Sequence, residues 1–270
     1  MRELRRHERC LNCDTPVPGN FCGQCGQENT DYHVSMRQIL GDAADELFQL
    51  ESRLWRSLWN LVRRPGRLTV AYVAGQRARY TTPLRLYLLC VTVYFGVMAL
   101  VPNRGEVKVQ MDFGSEATDK KPPSAFEKRM REHLGYVDGK VNPQEVSRRV
   151  RAALTSTMPK VVALLVPLFA LFTMTLFRRP KRFYVEHLVF ALHLHALALL
   201  VLLPFAMTRG EGPVLVGLVL VWVWMALALK ALFEQSWLRT FVKASVLGVG
   251  YSICAGMGIG GAAFVGIWYG

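Results

Sequence analysis

An all-α polytopic membrane protein, with about five transmembrane helices behind a small N-terminal cysteine knuckle, is the architecture that three features of this chain predict. Apolar residues make up 51% of its 270 residues and the mean hydropathy is +0.20, more apolar than a soluble domain of this length usually is. Charges crowd the first half, whereas long stretches after Leu84 hold almost none. Four of the six cysteines fall in two CxxC pairs near the N-terminus.

The net charge of +13 would suit a nucleic-acid binder. Here, though, the basic residues flank hydrophobic spans, so anionic lipid headgroups are the more economical partner. The first thirty residues carry cysteines and charges in place of an apolar signal core, so the N-terminus is expected to be retained. Cys90 and Cys254 stand alone in apolar stretches and read as small hydrophobes.

Residues 1–30 form the first unit, built on Cys10-Leu-Asn-Cys13 and Cys22-Gly-Gln-Cys25. Each CxxC turn makes two thiolates converge, and two such turns supply the four sulfurs of a closed tetrahedral site. The expected occupant is structural zinc, held by Cys10, Cys13, Cys22 and Cys25, with a redox dithiol or an iron–sulfur site as the alternatives. A unit this small cannot bury a core, so the metal would supply most of its folding free energy. Gly23 and Gly26 are expected to relieve crowding at the turn. Arg2, Arg5, Arg6 and Arg9 can meet lipid or nucleic acid, or simply balance the thiolate charge.

Residues 35–83 read as amphipathic, Arg-rich helices. Ser35 with Gln38 is a capping box, and an apolar stripe of three- and four-residue steps runs from Met36 to Leu61, ended by Pro65-Gly66. From Ser52 to Arg85 there is no Asp or Glu. Arg53, Trp55, Arg56, Trp59, Arg63, Arg64, Arg67, Arg77 and Arg79 together suit the water–bilayer boundary. The plainer alternative is a solvated basic face packed on the protein's own helices.

The first span is placed at 84–101, just long enough at ~1.5 Å per residue to cross a ~30 Å core. Residues 102–157 read as an extracytoplasmic loop with two short helices, one capped by Ser124 with Glu127 and one begun by Asn142-Pro143 with Glu145. Residues 158–270 supply the other four spans, at 158–177, 187–207, 214–229 and 244–268. Lys230, Arg239 and Lys243 fall between the last two. With five crossings, the Arg-rich approach to the first span, the Arg178 to Arg182 run and the Lys230 to Lys243 segment share one side, which the positive-inside rule makes cytoplasmic. The expected location is a cell inner membrane with the N-terminus cytoplasmic and the C-terminus extracytoplasmic.

Ionisable groups within a span are expensive and are functional candidates by default. Glu186, His187, His193 and His195 are those candidates, for a haem, metal or proton-relay site completed by other helices; the plainer reading is interhelical hydrogen bonding by neutral imidazoles. His193 and His195 point about 200° apart on a helix, so both cannot serve one ligand from it. The last span is glycine-rich, and Gly256 with Gly260 makes a GxxxG step that permits close helix packing, within the chain or in a homo-oligomer, or else lines a narrow pore. No Ser/His/Asp set, phosphate loop or carboxylate pair points to catalysis.

Several blocks resemble one family. Cys10-Leu-Asn-Cys13 through Phe21-Cys-Gly-Gln-Cys-Gly-Gln27, Arg64-Pro-Gly-Arg67, Ala74-Gly-Gln-Arg-Ala-Arg-Tyr80, Pro83-Leu-Arg-Leu-Tyr87 and Val185-Glu-His-Leu-Val-Phe-Ala-Leu-His-Leu-His195 resemble, in that order, the bacterial multi-pass membrane family catalogued as domain of unknown function 3667. The resemblance implies an inner-membrane protein with a cytoplasmic zinc ribbon, and it brings no activity and no catalytic residues. The leading expectation is a non-enzymatic membrane scaffold or regulatory module with a cytoplasmic protein partner. A transporter or channel, and a membrane haem or metal enzyme, are the alternatives.

Overall fold

The computed structural model describes residues 7–29, 52–100, 136–137, 140–141, 143–208 and 211–269. The helix expected from Ser35, apart from its end beyond Ser52, and the one capped by Ser124 lie outside them.

Helix α1, Ser52–Arg63, keeps Leu54, Ser57 and Leu61 inside and turns Trp55, Arg56, Trp59 and Arg63 outward, as its three- and four-residue apolar spacing dictates. Pro65-Gly66 ends it, and Gly66 adopts a left-handed φ of 74°. No side chain fits there, because a Cβ on Gly66 would meet the Ala228 carbonyl oxygen at 2.9 Å. Helix α2, Arg67–Val73, buries Leu68, Thr69 and Tyr72. Helix α3, Pro83–Leu100, opens with proline at its first position, where the missing N–H costs nothing.

Helix α4 runs unbroken from Pro143 to Leu176. The short helix expected at Asn142-Pro143 is therefore the beginning of the second span's own helix and not a separate piece of the loop. No glycine interrupts residues 143–176, a charged turn does not stop a helix, and Pro159 and Pro167 are accommodated within it. Helix α5, Tyr184–Ala206, starts with Glu186 reaching back to accept the Phe183 N–H at 3.1 Å. Helix α6 is Glu211–Phe233 and helix α7 is Trp237–Tyr269. The last helix thus begins seven residues before its expected start at 244, so Arg239 and Lys243 belong to it and only residues 234–236 connect it to α6. Ser236 opens it, its carbonyl accepting the Thr240 N–H at 3.0 Å.

Five of these helices are long and apolar enough to cross a membrane: Pro83–Leu100, Ser156–Leu176, Tyr184–Ala206, Gly212–Phe233 and Trp237–Val265. Their outer surfaces are apolar where a soluble protein would be polar, as Leu215, Val219, Phe241, Val249 and Ile253 illustrate. Hydrocarbon is the solvent that stabilises such a surface, so the chain is a membrane protein.

Two compact units divide the chain. The first comprises Met1–Gly96 and Val166–Tyr251. Its central element is α5, 61% of which is buried against 11–28% of the other spans. Helices α1 and α2 pack on α5, and α2 also packs on α6. The second unit comprises Val97–Leu165 and Ser252–Gly270. In it a two-residue hairpin, β1 Tyr136–Val137 with β2 Lys140–Val141, precedes α4, and α4 approaches α7 closely enough that a Cβ on Gly258 would lie 2.8 Å from Val161.

Candidate metal centre and its attachment to the helices

The N-terminal cysteines come together as their spacing requires. The four Sγ atoms of Cys10, Cys13, Cys22 and Cys25 lie within 4.8 Å of one another, with Cys10–Cys25, Cys13–Cys22 and Cys13–Cys25 each at 3.5 Å. All four thiols are free, and these separations are far beyond a disulfide bond of about 2.05 Å. Four sulfurs around one ion at about 2.3 Å would stand about 3.8 Å apart, so the cluster fits a metal ion.

Two copies of the same turn build it. In the first, the Cys10 carbonyl accepts the Asp14 N–H at 2.9 Å and the Cys10 N–H donates to Thr15; in the second, the Cys22 carbonyl accepts the Gly26 N–H at 2.8 Å and the Cys22 N–H donates to Gln27. The residue after each second cysteine takes a left-handed φ, 59° at Asp14 and 72° at Gly26. Neither glycine relieves crowding, since a Cβ on Gly23 or Gly26 would meet nothing within 4 Å; Gly26 serves by its left-handed φ, which Asp14 adopts in the first turn, and the φ of Gly23 is ordinary.

Without a metal the four thiols are not equivalent. Burial pushes Cys10 up to about 11. Hydrogen bonding by the Thr15 hydroxyl and backbone pulls Cys13 down to about 6. Gln24 Oε1 also approaches the Thr15 hydroxyl and competes for its one hydrogen, and Arg9 holds Asp14 at 3.3 Å, so Arg9 braces the knuckle itself. Arg2, Arg5 and Arg6 lie outside the described residues. Beside the first turn is an open cavity of about 600 Å³, bordered by Glu8, Arg9, Asn12 and Gln76.

Gln27 joins the knuckle to the helices. Its Nε2 donates to the Gly75 carbonyl at 2.9 Å, and its Oε1 accepts the N–H groups of Arg77 and Ala78 at 3.2 Å each. Leu11 packs on the same loop, where a Cβ added to Gly75, at φ 93°, would lie 2.8 Å from Leu11 Cδ1. The loop then leads into α3, whose approach is tied back to α1 by the Thr81 N–H donating to buried Ser57 Oγ at 2.9 Å. Gln27 stood in the sequence as part of a motif without a role. Its position two residues after the last cysteine is the signal, since a polar side chain there projects from a fixed turn.

On the Arg-rich helices, Trp55 is 74% and Trp59 58% exposed, and the Arg63 guanidinium lies 3.7 Å from the Trp59 ring centre. Arg56, Arg63, Arg64, Arg67 and Arg79 are exposed, while Arg53 and Arg77 are half-buried.

Inside the bundle, the histidines disperse to different helices. His187 Nδ1 meets Thr173 Oγ1 of α4 at 3.2 Å; because that hydroxyl already donates to Ala170, the imidazole is the donor. His193 Nδ1 shares a 2.9 Å hydrogen bond with buried Thr69 of α2, and its Nε2 has no hydrogen-bond partner among the described residues. His195 Nδ1 donates to the Ala191 carbonyl at 2.7 Å, which leaves Nε2 of a neutral ring to accept the Tyr251 hydroxyl at 2.7 Å. Glu186 joins none of them, being occupied by the Phe183 N–H and by Arg182 at 3.8 Å. Thr69, Thr173 and Tyr251 are the partners that periodicity alone does not reveal.

Glycines of the last helix also differ from expectation. A Cβ on Gly256 or Gly260 would meet nothing within 4 Å, so the GxxxG step makes no close packing among the described residues. The tight approaches are at Gly258 against Val161 and at Gly248, where Trp222 would stand 3.4 Å away.

Residues 51–95, which cover α1, α2 and most of α3, match the family described as protein of unknown function (DUF3667). No curated protein and no solved structure matches the chain.

Proposed function

We propose that the protein is a non-enzymatic membrane-anchored scaffold or regulatory module, in which a structural zinc ion folds a cytoplasmic knuckle and the knuckle sets the Arg-rich helices at the membrane surface. The Gln27 clasp on residues 75–78 carries this reading, because it makes the metal-dependent turn part of the path from α2 into the first span. A closed set of four sulfurs leaves no ligand position for substrate. The transport and haem readings lose their main motivation where His187, His193 and His195 each bond a different hydroxyl.

Orientation follows from charge. The α1–α2 turn touches Ala228 of α6, the Arg182 guanidinium donates to the Leu232 carbonyl, and Gln235 donates to the Arg179 carbonyl, so three basic segments meet at one end of the first unit. Such an end belongs on the cytoplasmic face of an inner membrane, with Trp55 and Trp59 in the headgroup layer.

Phe21, 64% exposed beside Cys22, is the natural contact for a soluble partner. A photocrosslinker at position 21 should capture one soluble protein, and Cys22→Ser should abolish that capture while the protein stays in the membrane. Undiminished capture by Cys22→Ser would overturn the scaffold reading.

A further inference from the structure

A cavity of about 430 Å³ lies where the 177–183 connection meets the start of α7, and its charged lining is entirely basic: Arg178, Arg179, Arg239 and Lys243. Gln235 holds it together. Its Nε2 donates to the Arg179 carbonyl at 2.7 Å, its Oε1 accepts the Lys243 ammonium at 3.0 Å, and its backbone carbonyl accepts Lys230. One amide thereby fixes two loops and one of the cations.

Among the described residues no carboxylate lines the cavity, and Glu186 is engaged by Arg182. Arg178 spends its Nε on the Thr175 carbonyl at 3.1 Å, and Arg179 and Arg239 make no side-chain hydrogen bond or ion pair among the described residues. Four like charges around one hollow repel one another, and an anion with several acceptor oxygens relieves that repulsion. The amino end of α7, which begins at Trp237, adds the partial positive charge of a helix N-terminus.

We infer that this cavity binds a phosphate group. The membrane is its natural source: the cavity lies at the ends of the spans Ser156–Leu176, Tyr184–Ala206 and Trp237–Val265, where headgroup phosphates are found. Immediately along α7, Leu238, Phe241 and Val242 are exposed and apolar, a surface suited to acyl chains below a bound headgroup. The inference rests on the chain crossing a bilayer and is independent of the zinc knuckle.

Native mass spectrometry of the full-length protein in detergent tests it, with phosphatidylglycerol, phosphatidylcholine and inorganic phosphate as separate probes. Retention of phosphatidylglycerol over phosphatidylcholine is expected, weakened on the order of tenfold in Arg179→Gln/Arg239→Gln. Both side chains are exposed and make no internal bonds among the described residues, so the fold should survive, with unchanged helix content by circular dichroism as the check. Lys160→Gln, which removes an exposed charge of α4 that does not line the cavity, should retain the lipid as the unaltered protein does. Inorganic phosphate bound through Arg179 and Arg239 without lipid preference would keep the phosphate site and make its source soluble. If neither probe is sensitive to Arg179→Gln/Arg239→Gln, or if Lys160→Gln is equally weakened, the inference fails, whatever becomes of the scaffold reading.

Discussion

Gln27 and Gly75 are bound to each other across 48 residues: the glutamine amide donates to the glycine carbonyl at 2.9 Å, and its oxygen accepts the N–H groups of Arg77 and Ala78. A turn of the four-cysteine cluster is thereby fastened to the loop that feeds the first membrane span. The consequences can be measured.

Gln27→Ala should take from the Ala78 N–H its partner, while the Gly75 carbonyl and the Arg77 N–H keep their own 3.0 Å bond, at a cost of about 1–3 kcal/mol. Hydrogen exchange at Ala78 should accelerate while the cysteine turns keep their metal. Gln27→Glu retains the acceptor and loses the donor, so it should fall between the two.

Glycine substitutions should separate sharply by position. Gly75→Ala forces an L side chain into φ 93° and against Leu11, and Gly66→Ala does the same at φ 74° against the Ala228 backbone. Each should lower the thermal midpoint clearly, with strain costing about 1–3 kcal/mol or more. Gly23→Ala, with an ordinary φ and open space around it, should be close to neutral.

Removing the metal should loosen the knuckle and residues 75–78 but leave α5 and α6 in place, because the metal supplies the knuckle's folding energy and apolar burial supplies theirs. Limited proteolysis with and without a chelator distinguishes the two regions. Acid should act in the same direction. Protons compete for the thiolates, so metal affinity falls as pH falls, and the fall steepens below about 6, where Cys13 also becomes protonated in the metal-free knuckle. Competition with a chromophoric chelator across mildly acidic to neutral pH reads this slope; an affinity that rises on acidification would contradict thiolate ligation.

Thr69 and His193 should behave as a coupled pair, joined at 2.9 Å although 124 residues apart. Thr69→Val leaves the imidazole with no partner on either nitrogen among the described residues and should cost about 1–3 kcal/mol. Replacing both, Thr69→Val with His193→Leu, should cost less than the sum of the single changes. Strict additivity in a double-mutant cycle would mean that the bond contributes nothing.

Much of this was legible in the residues. The two CxxC pairs announced four converging sulfurs, and the five apolar stretches became five span-length helices; in the acid-free stretch from Ser52 to Arg85, Trp55, Arg56, Trp59 and Arg63 are exposed but Arg85 is buried. Helix ends were read less well. Arg239 and Lys243 looked like loop residues because charge marks where hydrocarbon stops, yet a helix continues past that point as long as no glycine or proline intervenes. Gly256 and Gly260 looked like a packing step, but which glycines meet a neighbour depends on helix rotation, and rotation brought Gly248 and Gly258 inward instead.

Membrane insertion and the convergence of the four cysteine sulfurs are decided by summed, local properties, namely the oiliness of some twenty consecutive residues and the reach of two short turns, so the chain determines them by itself. The Gln27 clasp, the separate partners of His187, His193 and His195, and the basic hollow around Gln235 join residues distant along the chain. Those pairings exist only once packed helices have set which side chains face each other, and that is what the tertiary structure alone decided.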